Sequence, residues 1–257
     1  MADVYGTVRM IPTFIYDPAT AGDGFIVLDG AEAHHLASVL RMKAGETIRV
    51  IDGSGTAFLC EIVEIGRKQV RCRIIETQKA SGEPRLKLTL VIGLSTSLKF
   101  DMVIEKGTEV GVSRIVPLVT SKGRIKRVDS ESGQRKASRW RRIAEAAAKQ
   151  SGRSVIPSIE SPQGVEAFIA ACRPEESVLF HPDGLGRWSD SLDKLPGNHL
   201  TILVGPESGF SPEEVALAEK RNIPVVGMGD RVLRTETAGI VLSALAIYSY
   251  ETVNDRS

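Results

Sequence analysis

The rhythm of apolar and polar positions changes once along the chain, near residue 80. Before that point the apolar runs are short and separated by turn residues. Phe25 to Leu28 is one such run, and Thr47 to Ile51 alternates before Asp52-Gly53-Ser54-Gly55, a strong turn signal. Ala57 to Ile65 and Gln69 to Thr77 form two further β-rich runs joined through Gly66-Arg67-Lys68, the pattern of a hairpin. A helix is expected over Ala31 to Met42. Strands at this spacing predict a small barrel or sandwich over residues 1–78. Residues 79–85, small, polar and broken by glycine and proline, read as a linker.

Over 86–257 apolar strands alternate with helices. The strands are Leu86 to Ile92, Ile115 to Val119, Ser177 to Phe180, Leu200 to Val204 and Ile223 to Val226. The helices are Leu98 to Val110, Arg135 to Gln150, Pro162 to Cys172, Ser211 to Asn222, and Ala238 to about Val253. Strands without polar alternation, separated by helices, predict an α/β domain with a largely parallel sheet.

The chain's 257 residues are enough for two domains of ordinary size. No apolar run reaches the roughly 20 residues that span a bilayer, and no signal peptide is visible, so a soluble, cytoplasmic protein with no membrane role is expected. Cys60, Cys72 and Cys172 show neither paired spacing nor a zinc pattern, and the four histidines have no metal-ligand spacing, so no metal is expected. Net charge is +1, but Ser121 to Arg153 holds eleven basic and three acidic residues, leaving the rest of the chain at −7. A concentrated basic segment fits a polyanion such as nucleic acid, or else a solvated helix face.

Two stretches look alike. Leu200 to Val204 runs into Gly205-Pro206-Glu207-Ser208-Gly209-Phe210, and Ile223 to Val226 runs into Gly227-Met228-Gly229-Asp230. Each is a strand opening into a glycine loop ahead of a helix, and two such loops from successive strands can lie side by side at one sheet edge. Ser211, Pro212 and Glu214 form a capping box that fixes the start of the helix after the first loop. Ligands of open α/β sheets bind at such loops. No phosphate loop of an NTPase, complete dinucleotide fingerprint or nucleophile elbow is present.

Leu203 to Glu214, Met228 to Ala238 and Glu145 to Arg153 together resemble the bacterial ribosomal RNA small subunit methyltransferase E family, SPOUT-class enzymes that methylate N3 of a uridine in 16S ribosomal RNA. His34 to Arg41 and Lys106 to Val112 resemble it too, and the likeness runs from about Ile11 to Tyr250. The family usually has glycine where this chain has Ser208. The resemblance implies an N-terminal PUA-like β-barrel for RNA, a C-terminal α/β domain with a deep trefoil knot, and a homodimer acting on 16S ribosomal RNA or the small subunit. It implies S-adenosylmethionine held by three loops, matching Phe180, His181, Leu203, Gly205, Pro206, Glu207, Gly209, Met228, Gly229, Val232, Leu233 and Thr237.

Methyl transfer to N3 of uracil requires loss of the N3 proton, a base to take it, and a donor that stabilises the anion at O2 or O4. Arg234, next to the cofactor loop, is the expected donor, and Glu236 and Glu109 are candidate bases. Arg234 could equally hold a phosphate or a buried partner. His34, Arg41, Lys122, Arg124, Arg135, Arg139, Arg142, Lys149 and Arg153 are expected to touch RNA. The alternatives are an enzyme of the same class with another RNA target, including a ribose 2′-hydroxyl, and a non-catalytic RNA-binding assembly factor.

Overall fold

The structure, a computed structural model, describes residues 11–123, 125, 130–186, 188, 190 and 195–254. The chain forms two compact units, Met1–Glu83 with Ala148–Val155, and Pro84–Ala147 with Ile156–Ser257.

The first unit is built on one six-stranded sheet. Its strands are β1 (Thr13–Ile15), β2 (Ala21–Gly22), β3 (Phe25–Asp29), β4 (Thr47–Ile51), β5 (Thr56–Ile65) and β6 (Gln69–Lys79), in the order β1-β4-β5-β6-β3-β2. Only β1 and β4 pair in parallel; the other pairings are antiparallel. β5 and β6 form the expected hairpin, with Gly66 N–H donating to the Gln69 carbonyl over 2.9 Å. Alternate residues of these strands, including Ile26, Leu28, Ile48, Val50, Cys60, Ile62, Val70 and Cys72, point to one buried face. Burial pushes the Cys60 thiol up to about 12 and the Cys72 thiol to about 11, the latter adding to the rise at Cys60. The helix expected over Ala31 to Met42 is shorter. α1 (Gly30–His34) passes into a π-helical turn, His35–Val39, and Arg41 takes a left-handed φ of 53° that stops further winding.

The stretch before the second unit is held tightly. Glu83 and Arg153 form an ion pair at 2.7 Å with both side chains only 2% exposed. The other Glu83 oxygen also accepts the backbone N–H groups of Ser154 at 3.0 Å and Val155 at 2.9 Å. A buried carboxylate with its lone pairs filled in this way is tolerated where an unpaired one would not be.

Among the described residues the second unit has seven strands, all paired in parallel. They are β7 (Lys87–Gly93), β8 (Arg114–Val119), β9 (Ser158–Ile159), β10 (Gln163–Gly164), β11 (Ser177–Phe180), β12 (His199–Val204) and β13 (Val225–Val226). The order is β10-β8-β7-β12-β11-β13, with β9 also on β8. The helices are α2 (Ser97–Val110), α3 (Ser130–Ser151), α4 (Val165–Ala171), α5 (Pro212–Lys220) and α6 (Thr235–Asn254). Strand alternation sends Leu88, Leu90, Ile92, Ile202 and Val204 to a core shared with α2, α3 and α6. Val91, Val116 and Leu203 go to the opposite core, with Phe168 and Ile169 of α4 and Ala218 of α5. The unit is therefore a parallel sheet between two helical layers.

Helix limits differ from the sequence reading at three points. α3 begins five residues before Arg135, and α6 begins at Thr235 instead of Ala238. Residues 163 and 164 pair with β8 as a strand before α4 starts, because Gly164 is extended at φ −70° and ψ 138°.

Candidate active site

A parallel sheet brings every strand's carboxyl end to one edge, and here four loops meet there. They follow β7, β12, β11 and β13. The two glycine loops do not adjoin directly: β11 lies between β12 and β13, so the loop after Phe180 separates them. Small residues allow the loops to approach. A Cβ on Gly93, the last residue of β7, would lie 2.3 Å from the Pro206 nitrogen, and one on Gly184 would lie 2.4 Å from the Val226 carbonyl carbon. Neither position has room for a side chain. His181 N–H donates to the Val226 carbonyl at 3.0 Å, and the Thr235 hydroxyl donates to the Gly205 carbonyl at 3.1 Å, so the start of α6 is tied to the loop after β12.

The loop after β12 is braced on its other side. The expected capping box is present: the Ser211 hydroxyl accepts from Glu214 N–H at 3.2 Å, and Glu214 accepts from Ser211 N–H at 2.7 Å. The buried Glu214 carboxylate also accepts from Ser121 N–H at 2.7 Å. Ser208 donates its hydroxyl to the Lys122 carbonyl at 2.7 Å. Gly209, not Ser208, takes the left-handed φ of 71°, so serine needs no strained backbone.

These loops enclose a cavity of about 560 Å³. Its walls are mainly apolar, from Phe180, Val204, Val226, Met228, Leu233 and Leu242, with loop backbone and a few charged groups at the margin. Size and lining suit a ligand of nucleoside dimensions. Of the residues expected to bind a cofactor, Phe180, His181, Gly205, Pro206, Glu207, Gly209, Met228, Val232 and Leu233 line it. Three do not. Leu203 faces the opposite core, as the neighbour of the inward Val204 must. Thr237 is exposed on α6, whereas Thr235, two residues earlier, is buried and lines the cavity. Gly229 lies outside the lining, with φ 75° in the turn beside it.

Arg234 lines the cavity with an exposed side chain. Glu236, in the first turn of α6, is buried and is not among the lining residues; one of its oxygens is 3.7 Å from Lys99 Nζ and the other has no hydrogen-bond partner. Lys99 also pairs with Glu207, so one ammonium bridges the loop after β12 and the start of α6. Lys99 escaped the sequence reading. The available signal was its place in the first turn of the helix after β7, a strand whose end shares this edge. Glu109 is ten residues further along α2, about 15 Å away along the helix axis, and pairs with Lys106 at 2.8 Å. A helix returning across a parallel sheet ends at the opposite edge, so Glu109 does not reach the cavity.

The basic residues separate into two groups. Lys122, Arg135, Arg139 and Arg142 are exposed, as are His34 and Arg41 in the first unit. Arg139 pairs with Asp101, and Lys122 reaches the Phe210 carbonyl at 3.4 Å. Lys149 is half-buried against Glu32 at 2.8 Å, and Arg153 is buried with Glu83. Burial takes Arg153 out of reach of RNA, contrary to expectation, while Lys149 is engaged by Glu32 and only partly exposed. Arg124 lies outside the described residues. Among the described residues no cluster of His, Cys, Asp or Glu could hold a metal ion, and no helix is long and apolar enough to cross a membrane.

The RNA methyltransferase domain family matches residues 82–247, and the RNA methyltransferase PUA domain family matches residues 28–75. The chain is 30% identical to ribosomal RNA small subunit methyltransferase E of Bacillus subtilis over 232 residues, covering 88% of this chain and 90% of that one. A Legionella pneumophila protein solved with bound SAM is 28% identical, with a TM-score of 0.81 over 93% of this chain and 98% of its own. Ribosomal RNA small subunit methyltransferase E of Neisseria gonorrhoeae, 24% identical, shares the fold at a TM-score of 0.82 over 95% and 98% of the two chains.

Proposed function

The chain belongs to the RNA methyltransferase family, and within it to ribosomal RNA small subunit methyltransferase E; from that premise we propose that it transfers a methyl group from S-adenosylmethionine to N3 of a uridine in 16S ribosomal RNA. The observation that carries this reading is the convergence of the loops after β11, β12 and β13 on one apolar cavity of nucleoside size. Loop backbone around Gly205 and Gly209, with the apolar side chains between, would hold the cofactor. Bound there, S-adenosylmethionine supplies an electrophilic methyl group on a sulfonium.

The chain's own residues have two tasks. The uracil N3 proton must leave, so that the N3–C bond forms as the S–C bond breaks. Glu236 is assigned the proton, since it carries a buried oxygen with no partner beside Lys99. Arg234 is assigned the developing charge on the uracil oxygens, because the residue lines the cavity and its planar fork suits a planar acceptor. Lys122, Arg135, Arg139 and Arg142 would hold phosphates, and His34 and Arg41 are the corresponding groups of the first unit.

The six-stranded sheet of residues 1–78 is read as a PUA-like barrel that binds RNA, residues 79–85 as a linker, and 86–257 as the SPOUT domain. A trefoil knot is supported by the path of the last segment. It leaves the edge strand β13, bonds to the loop after β12 and packs α6 over β7 and β12. A homodimer is supported by apolar side chains left exposed on two helices packed together, Leu98 and Met102 of α2 with Leu245 and Tyr248 of α6. The cytoplasm is the compartment of such a substrate. The test is to map methylated uridines in ribosomal RNA with and without the gene, then restore the wild-type protein and the Arg234→Ala variant. Loss and return of one N3-methyluridine is expected; an unchanged map, or a changed ribose methylation, would refute the reading.

A further inference from the structure

Beside the first cavity lies a second, of about 340 Å³, that shares Pro206 and Glu207 as its dividing wall. Its other polar groups come from three loops at the same edge: Ser95 and Thr96 after β7, Lys122 after β8, and Ser208 after β12. Thr96 is the residue before α2, yet its hydroxyl makes no capping bond, and Ser95 has no hydrogen-bond partner for its hydroxyl among the described residues. Two hydroxyls without a partner line the space together with Lys122, whose ammonium makes one long bond, to the Phe210 carbonyl at 3.4 Å, and has further protons to donate. The carboxylate of Glu207 is paired with Lys99. Among the described residues no aromatic side chain lines the wall, so they offer a nucleobase nothing to stack on. Donors without a stacking surface suit an anionic, oxygen-rich group.

We propose that this second cavity receives the ribose-phosphate linkage next to the target nucleotide, with Lys122 on a phosphate oxygen and Ser95 and Thr96 on the remaining phosphate or 2′-hydroxyl oxygens. The inference rests on the RNA methyltransferase reading and extends it to a positioning site. A strand whose target base meets the methyl donor at the mouth of the first cavity on the side of Pro206 and Glu207 brings its neighbouring linkage to the second. Its role is register: a contact to the backbone carries no base information but fixes which nucleotide stands at the methyl donor.

The test uses the full-length protein and an RNA fragment containing the mapped uridine, in single-turnover assays at saturating S-adenosylmethionine. Lys122→Gln, and separately the double change Ser95→Ala with Thr96→Val, should raise the half-saturating RNA concentration about tenfold, as expected for loss of one charged hydrogen bond. The rate at saturating RNA and the affinity for S-adenosylmethionine should stay as in the wild type. Replacing one flanking phosphate by a neutral methylphosphonate should weaken wild type equally, with little further loss in Lys122→Gln, because both changes remove the same contact. Unchanged RNA dependence in both variants, or additive losses with every flanking methylphosphonate, would overturn the inference while leaving methyl transfer intact. So would binding of inorganic phosphate that depends on Lys122 while RNA dependence does not, since the site would then serve a free anion. A wild-type protein that methylates no ribosomal RNA would instead bring down the functional reading itself.

Discussion

At the scale of single residues, the half-buried carboxylate of Asp52 and the buried one of Glu236 behave differently. Asp52 is enclosed by the turn it closes: burial raises its pKa, but hydrogen bonds from Ser54 and Thr56 outweigh that and leave it below the ordinary value. A carboxyl with a depressed folded pKa contributes stability that is complete above its unfolded value, near ~3.9, and is lost as pH falls through the folded one. Asp52→Asn should therefore lower stability by about 1–2 kcal/mol at neutral pH in urea denaturation, with the two proteins converging under strongly acidic conditions. A difference that persisted there would show that shape, not charge, is what Asp52 supplies. Glu236 instead keeps a buried oxygen without a partner, while its other oxygen lies 3.7 Å from Lys99, a residue of the cavity lining. That is a cost to folding which a proton-accepting duty would explain. Arg234→Ala should slow single-turnover methylation by about 10²–10³, while cofactor affinity changes little. Loss of RNA affinity alone at normal rate would return Arg234 to phosphate binding. The sequence exposed Arg234 because it follows a glycine loop, but could not reveal Lys99, whose importance depends on sheet order and not on neighbours in the chain.

At the scale of elements, local signals were legible and sheet order was not. Ser211-Pro212-Glu214 announced its capping box, and β7, β8, β11, β12 and β13 were visible as apolar runs, whereas the two-residue strands β9 and β10 were not. Which loops meet depends on pairing, which leaves no mark in a single sequence. The place of β11 between β12 and β13 was therefore missed, although the strand itself was predicted. The same limit explains Leu203 and Val204: both are apolar, and only the sheet's orientation decides which one faces the cavity. The buried Glu214 does more than cap, because it also anchors Ser121 beside the loop after β8. Ser211→Ala should cost about 1 kcal/mol as an ordinary cap deletion. Glu214→Ala should cost more, since it leaves the N–H groups of Ser121 and Ser211 without their acceptor. Equal losses in thermal unfolding would mean that the Ser121 bond contributes nothing. Gly93→Ala tests the loop contact itself: a methyl group 2.3 Å from the Pro206 nitrogen forces the two loops apart, so cofactor affinity should fall even where the fold survives.

At the scale of the whole molecule, the basic segment is an electrostatic signal with two physical origins. Sequence counting treats its eleven cations alike, yet Arg153 is sealed against Glu83 and Lys149 is held by Glu32. Only burial distinguishes them from Arg142, which is exposed and has no partner among the described residues. Each phosphate neutralised by an exposed cation releases counterions, contributing about 0.7–0.9 to the slope of log affinity against log salt. Arg142→Gln should reduce that slope by about one such contribution and leave stability unchanged. Arg153→Gln should do the reverse, with the slope preserved and stability lowered by about 3–5 kcal/mol, because Glu83 is left charged and buried without its partner. Replacing both members, Glu83→Met with Arg153→Met, removes the orphaned charge, although Ser154 and Val155 then lose an acceptor for their N–H groups. The double variant should accordingly recover part, not all, of the lost stability. A salt slope that fell in the Arg153 variant while its unfolding midpoint held would show that this arginine does reach RNA, and the division of the segment drawn from burial would have to be given up.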